Sequence, residues 1–363
     1  MSTLKERIRD RALELGFDAI GFAAAGRAPH ADAFHAWIDA GLNGEMAWLG
    51  REPERRCDPR LVVPGARSLI VVGFSYFVAD PPADLWNDPL RGRVARYAWG
   101  PDYHTQLEPG LKALAAFIRE EAGTAAQARY YVDTGPVLER AWAARAGLGF
   151  IGKNSLLIRP GTGSYLFLGV ILTDVEVEPD PGAIDKGATL PADAVDGVSR
   201  TGTCGSCRRC LDICPTHAFP SAYILDSRRC ISYLTIELRG AIPEPLRAKM
   251  GNWVYGCDEC QSVCPWVRQY SKPREHPFLR ADPETMAPFL PDLLALDEEG
   301  FRRRFRGTPL KRAKRSGLLR NAAVALGNSG KSEAVPALER AARDADPLIR
   351  EHADWALRRM ALR

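Results

Sequence analysis

Eight of the nine cysteines lie between Cys204 and Cys264, and their spacing constrains this chain more than any other feature. The first group reads Cys204-x2-Cys207-x2-Cys210-x3-Cys214-Pro215; Cys230 follows alone; the second group reads Cys257-x2-Cys260-x3-Cys264-Pro265. In runs of this form three closely spaced thiolates bind one 4Fe-4S cluster, and the fourth, just before proline, reaches across to a second. The second group repeats the run with its first cysteine pulled back to Cys230. The spacing predicts one ligand set of Cys204, Cys207, Cys210 and Cys264, and another of Cys214, Cys230, Cys257 and Cys260.

Zinc also uses Cys-x2-Cys pairs, but two four-cysteine sets that each close on Cys-x3-Cys-Pro favour iron-sulfur clusters. Disulfides fit less well. The first residues, MSTLKERIRDRALELGF, carry a charge every few positions and lack the apolar run of a secretory signal. The expected compartment is therefore the reducing cytoplasm. Two clusters held close together form an electron path, and such a path implies a second redox centre.

At 363 residues, 46% apolar and 26% charged, the chain has the composition of an ordinary soluble protein with room for two or three cores. Its longest apolar stretches, Leu69 to Phe74 and Tyr165 to Leu172, suit buried strands and are too short to span a bilayer. Thr3 and Glu6 form a capping box for a helix from Thr3 to Leu15, followed by a strand from Asp18 to Phe22 and a helix from Ala31 to Ala40. Arg51 to Arg60 is rich in arginine and contains Cys57, which is expected to be structural because both ligand sets are complete without it. Strands are expected at Ser68–Phe77, Arg129–Val132, Leu156–Ile158 and Tyr165–Leu172, with helical spacing from Leu107 to Ile118 and from Val137 to Arg145. This alternation argues for an α/β domain.

Gly147, Gly149 and Gly152 fit G-x-G-x-x-G only on paper, since they follow a helix and precede a strand, the reverse of the dinucleotide-binding order. They suggest a loop that brings backbone close to some other large ligand. Asp174 to Gly202 reads as an acidic, Pro/Gly-rich connection, and Ile231 to Arg239 as a helix within the cluster module. Asp282 to Glu299 reads as a proline-interrupted linker with helical pieces. The net charge is only +4, yet Phe301 to Arg315 holds eight basic residues and no acidic one. Such a segment attracts phosphates. Leu318 to Gly327 is echoed by Pro347 to Leu357, with a helix from Ala334 to Ala342 between them. This suggests a HEAT-like repeat whose arginines face outward.

Six stretches together carry a resemblance: RYAWGPDYH (Arg96 to His104), DTGPVLER (Asp133 to Arg140), GFIGKNSLLI (Gly149 to Ile158), the two cysteine runs, and RGTPLKRAKRSGLLRNAAVALGN (Arg306 to Asn328). With these, the chain resembles the epoxyqueuosine reductases over nearly its whole length. That family uses cobalamin and two 4Fe-4S clusters to turn the epoxy-cyclopentane group of epoxyqueuosine in tRNA into the cyclopentene of queuosine. It is related to the reductive dehalogenases.

The resemblance implies three parts: an α/β cobalamin-binding, reductive-dehalogenase-like domain over 1–195, a bacterial two-cluster ferredoxin-like module over 196–275, and a basic, all-α HEAT-like domain over 276–363 that binds tRNA. It implies Asp133 as proton donor to the substrate, with cobalamin contacts from Arg56, Tyr97, Asp133, Asn154, Ser155, Arg229, Ser232, Thr235 and Asp258. No Asp-x-His-x-x-Gly motif occurs, because Leu107 stands in the glycine position after Asp102-Tyr103-His104. A lower histidine ligand from that motif is not expected, which suits base-off cobalamin. The expected partners are tRNA with epoxyqueuosine at the wobble position and an unidentified electron donor. The protein is expected to be a monomer without a membrane association. Two other readings compete: a corrinoid reductive dehalogenase, which would leave the basic segment without a purpose, and a non-enzymatic iron-sulfur carrier of an RNA-modifying complex, which would leave the α/β domain unused.

Overall fold

The computed structural model describes residues 2–123, 125–181, 203–275, 278–279 and 282–362. Most of the expected connection from Asp174 to Gly202, and the expected division at 195/196, lie outside them. The division at 275/276 falls where the described residues pause. No helix among them is long and apolar enough to cross a membrane.

Strands β1 (Ala19–Ala24), β2 (Ser68–Ser75), β3 (Ala128–Tyr131) and β4 (Leu166–Thr173) form one sheet in the order β1-β2-β4-β3. Every pairing is antiparallel, with Ala19 opposite Gly73, Ser68 opposite Thr173, and Tyr131 opposite Val170. The domain is thus mixed α and β, but its sheet is not the parallel one that regular βαβ units would build. Along β2 alternate residues serve opposite faces. Ile70, Val72 and Phe74 pack under the Leu4–Glu14 and Tyr103–Ala122 helices, and Leu69 and Val71 pack against Trp142 and Ala143 of the Glu139–Arg145 helix. With both faces covered, the strand reads as a continuous apolar run. The first helix starts where its capping box places it, with Thr3 and Glu6 bonded reciprocally.

The glycines after the Glu139–Arg145 helix serve the chain itself. A Cβ at Gly149 would lie 2.2 Å from the Ile158 carbonyl oxygen, and one at Gly152 would lie 2.5 Å from the Ile158 side chain. The close approach they allow is between this loop and the short strand Leu157–Ile158.

Residues 231–255, 94–99 and 286–356 contribute to a single buried cluster. The stretch read as a linker is part of it, because Met286, Leu290, Leu293 and Leu294 are buried and Arg91 bridges to Phe289. The Lys314–Ser329 helix runs through the centre, buried from Gly317 to Gly327. Arg320, expected to face outward, is fully buried and donates to the Leu234, Leu238 and Gly240 carbonyls. The reason is local: the end of the Ile231–Ile236 helix leaves carbonyls without helical partners, and the guanidinium satisfies several of them at once.

Candidate active site and cluster module

The structure gathers Cys204, Cys207, Cys210 and Cys264 around one cavity, together with Asn154, Ile158, Pro265 and Trp266. Cys264 therefore joins the first cysteine run across 54 residues of sequence. Burial pushes the Cys210 thiol up to about 12 and the Cys264 thiol up to about 11, and a bound cation such as iron would favour their thiolates. Cys260 is raised first by burial, and then by the charges of Cys230, Cys210, Asp258 and Cys214. Cys257 is raised first by burial and then by Cys260. The Lys153 backbone N–H donates to Cys204 Sγ (3.4 Å), and the Lys153 ammonium holds the Gly205 and Cys207 carbonyls. Cys57 lies outside both sets, buried beside His35 Nε2 at 3.6 Å.

Arg96 joins the sheet domain to this module. Its backbone N–H donates to Asp258 Oδ2 (2.8 Å), and its guanidinium meets Tyr165, Ser262 and Asp80 while lying against the rings of Phe77, Trp99 and Tyr165.

Asp133 follows β3 in a left-handed conformation, φ 56°, which costs energy in any residue with a Cβ and is common where function sets the backbone. The next helix starts at Glu139. The nearby His104, followed by the hydrogen bond from Tyr103, holds Asp133 below the usual carboxylate range against the opposing effect of burial. Tyr103 Oη donates to Asp133 Oδ2 (3.0 Å), and His104 Nε2 lies 3.8 Å from the same oxygen. His104 Nδ1 meets Asp102 Oδ1 at 2.6 Å. Burial alone would lower His104, but the bond to Asp102 and the nearby Asp133 carboxylate override it and push it up to about 9. Glu139 accepts the Asp133 backbone N–H (2.7 Å), and burial with the Asp133 charge pushes its carboxyl up to about 8. The Asp133 side chain is 67% exposed, yet surrounding protein still desolvates it.

The remaining expected contacts divide by access. Asp258, Thr235 and Asn154 are buried and already partnered: Asp258 by Arg96, Thr235 by the Ile231 carbonyl and the Gly256 N–H, and Asn154 by the Cys260 carbonyl. Arg56, Tyr97, Ser155, Arg229 and Ser232 keep partial exposure. Arg56 faces Asp133 and Glu139 electrostatically, and its Nε is buried without a partner. Arg229 bonds the Thr216 carbonyl, and Ser155 bonds the Tyr223 carbonyl. Asp102, Tyr103, His104 and Glu139 were not expected here. The signal available for Asp102 and His104 was a helix start, since Asp102 caps the helix by accepting from the His104 backbone N–H.

The basic segment lines a groove that includes Arg302, Arg306, Lys311 and Lys314. Its charge is partly matched. Arg302, Arg303, Arg304 and Arg312 pair with Glu298, Glu299, Glu284 and Glu237, and Arg315 is tied to Asp344 and the Leu296 carbonyl. Among the described residues, Arg306, Lys311 and Lys314 show no ion pair. Phe301 and Phe305 are buried anchors.

Comparison with known proteins adds three kinds of finding. A family model described as epoxyqueuosine reductase QueG matches residues 56–134, and one described as a 4Fe-4S double cluster binding domain matches 203–267. Curated epoxyqueuosine reductases from Xanthomonas campestris and Pseudomonas aeruginosa are each 41% identical, over 97% and 98% of this chain and 94% of theirs. Among solved structures, an epoxyqueuosine reductase with an epoxyqueuosine-modified tRNA stem loop superposes with a TM-score of 0.86 at 32% identity, covering 98% of this chain and 90% of that one. A Bacillus subtilis epoxyqueuosine reductase, described with its catalytic aspartate loop swung out of the active site, gives 0.84 at the same identity and coverage.

Proposed function

The chain belongs to the epoxyqueuosine reductase family, and from that membership we infer that it is the oxidoreductase that reduces epoxyqueuosine to queuosine in the anticodon loop of tRNA, the last step of queuosine formation. The observation that carries this reading is 41% identity extending over nearly the full length of both chains. The double-cluster domain holds two iron-sulfur clusters. We assign Cys204, Cys207, Cys210 and Cys264 to one and Cys214, Cys230, Cys257 and Cys260 to the other, an assignment supported by the cavity that the first four line.

Cobalamin is the proposed terminus of the electron path, beside Asp133 at the junction of the sheet domain and the cluster module. The buried, unpartnered Arg56 Nε supports a polar ligand there, and Tyr97, Ser155, Arg229 and Ser232 are accessible enough to touch one. Asn154, Thr235 and Asp258 act from behind that surface, holding the cluster loops. When bound, the corrinoid would supply low-valent cobalt for two-electron reduction. Asp133, reached from the cleft, protonates the departing epoxide oxygen. Tyr103 and His104 orient its carboxylate, and Glu139 fixes the backbone beneath it.

The division into a catalytic domain, a cluster module and a tRNA-binding region is proposed as a division of labour rather than of cores. The Lys314–Ser329, Val335–Ala341 and Pro347–Ala361 helices are read as a small HEAT-like unit. This is supported by their close packing, in which a Cβ at Gly327 would lie 2.6 Å from that of Ala356. The protein is taken to work in the cytoplasm as a monomer fed by a separate electron donor. Protein reconstituted with iron, sulfide and cobalamin, given reduced donor and epoxyqueuosine-tRNA, is expected to form queuosine. Halide release from haloaromatics without queuosine would instead indicate a dehalogenase, and electron transfer with neither product would indicate a carrier.

A further inference from the structure

We propose that His104 is the proton relay of this site: positioned by Asp102, it re-protonates Asp133 within a single turnover. The inference rests on the reading of Asp133 as proton donor. Converting an epoxide to an alkene breaks two C–O bonds, forms a C=C bond, takes up two electrons and two protons, and releases water. The electrons arrive through the clusters. The protons must pass to one oxygen, first to make it a hydroxyl and then to let it leave as water. A single carboxyl carries one proton at a time, so Asp133 must be recharged between the two transfers.

Besides Arg56, which does not release a proton at any working pH, four groups face the Asp133 carboxylate or its backbone. Tyr103 donates a hydrogen bond, but burial and the adjacent Asp133 charge raise its phenol well above the ordinary value, so it keeps its proton. Arg140 lies close in charge but does not release a proton at any working pH. Glu139 meets the Asp133 backbone N–H, not the carboxylate. His104 remains, with Nε2 3.8 Å from Asp133 Oδ2 and Nδ1 held at 2.6 Å by Asp102. A carboxylate on one ring nitrogen fixes the ring and stabilises the imidazolium. The 3.8 Å separation exceeds a hydrogen bond, as catalytic contacts often do before substrate compresses the site. The ring is 34% exposed, so water can reload it.

Asp133 is held below the usual carboxylate range and is ionised at rest, so as a C–O bond breaks the proton on His104 Nε2 passes through Asp133 Oδ2 to the substrate oxygen. Solvent reloads the His104 ring, and the same passage through Asp133 delivers the second proton at the second C–O cleavage. Solvent returns both protons. The charged and titratable neighbours of His104 are Asp102, Asp133 and Glu139, with Lys311 behind Asp102 and the Tyr103 ring stacked at 4.1 Å.

The test is single-turnover queuosine formation from pH 6 to 10 by the fully reconstituted protein, beside histidine-ring NMR of the same protein with oxidised clusters. Wild type is expected to slow above about pH 9, with His104 titrating there. Asp102→Asn should move both the alkaline limb and the ring titration to lower pH. His104→Gln should be slower at pH 7 by about 10- to 100-fold, with tRNA affinity unchanged and the limb abolished. A His104→Gln protein with the wild-type rate and limb, or a ring that is neutral at pH 7, overturns the relay. If Asp133→Asn is slow while His104→Gln is wild type, only the relay fails. If Asp133→Asn is itself at the wild-type rate, the donor reading fails with it.

Discussion

The backbone N–H of Asp102 donates to the carbonyl of Gly307 at 2.8 Å, so the turn that carries His104 is fastened to the basic segment. Two further ties run the same way. Tyr255, just before the second cysteine group, donates its hydroxyl to the Pro309 carbonyl, and Arg312 lies over Trp48 while pairing with Glu237. The surface proposed to grip tRNA phosphates and the cleft proposed to reduce the base are thus one connected structure.

Neutralising Arg306, Lys311 and Lys314 to Gln together should weaken tRNA binding and flatten its salt dependence. Each lost phosphate contact reduces the logarithmic slope by about 0.7 to 0.9, so three remove about two units. The exposed arginines that pair with glutamate give up little by exchanging that partner for a phosphate, since such pairs contribute about 0–1 kcal/mol. Arg315→Gln should behave differently, lowering the melting temperature with the salt slope preserved. Unchanged affinity in the triple variant, measured by filter binding across a salt series, would place the RNA surface elsewhere.

Arg96→Met should be among the most destabilising single changes. Its side chain is 5% exposed and that of Asp258 is 2%, so removal strands a carboxylate that burial already raises above its usual range. Breaking one side of a buried pair costs about 3–5 kcal/mol. Because Asp258 sits between Cys257 and Cys260, iron content should fall as well. The Arg96→Met, Asp258→Asn double variant should recover part of the loss, and thermal unfolding together with iron analysis reads both effects. A single variant as stable as wild type would contradict the account of this junction.

Glu139→Gln should gain stability over wild type as pH rises. Glu139 is raised to about 8 in the folded protein from an ordinary value near 4.5. A raised acid contributes its full stability below the unfolded value and loses it as pH climbs through the folded one. Gln keeps the acceptor for the Asp133 N–H and never ionises. The difference in melting temperature should open between pH 4.5 and 8 and then level off. A difference that does not vary with pH would mean that Glu139 is not held protonated.

What could be read from the sequence depended on the range of the interaction. The Thr3–Glu6 capping box is a contact three residues apart, and it forms as written. The spacing of the cysteine runs predicts the set of Cys204, Cys207, Cys210 and Cys264 that lines one cavity. Asp133 was legible through its motif, but its ring partner lies 29 residues earlier, where Asp102-Tyr103-His104 also reads as an ordinary helix start. Arg315 and Arg320 look alike in a basic stretch, yet one is tied to Asp344 and the other buried under carbonyls of the 234–240 segment. Only tertiary packing tells them apart, and the same packing turns the apparent linker at Asp282–Glu299 into core.

The most direct measurement is single-turnover conversion of epoxyqueuosine-tRNA by wild type and Asp133→Asn, both carrying a full complement of iron and cobalamin. A positioned proton donor contributes about 10²- to 10⁴-fold. The account predicts queuosine from wild type and a loss of that size in the variant, with tRNA binding intact. Equal rates in the two proteins would contradict it.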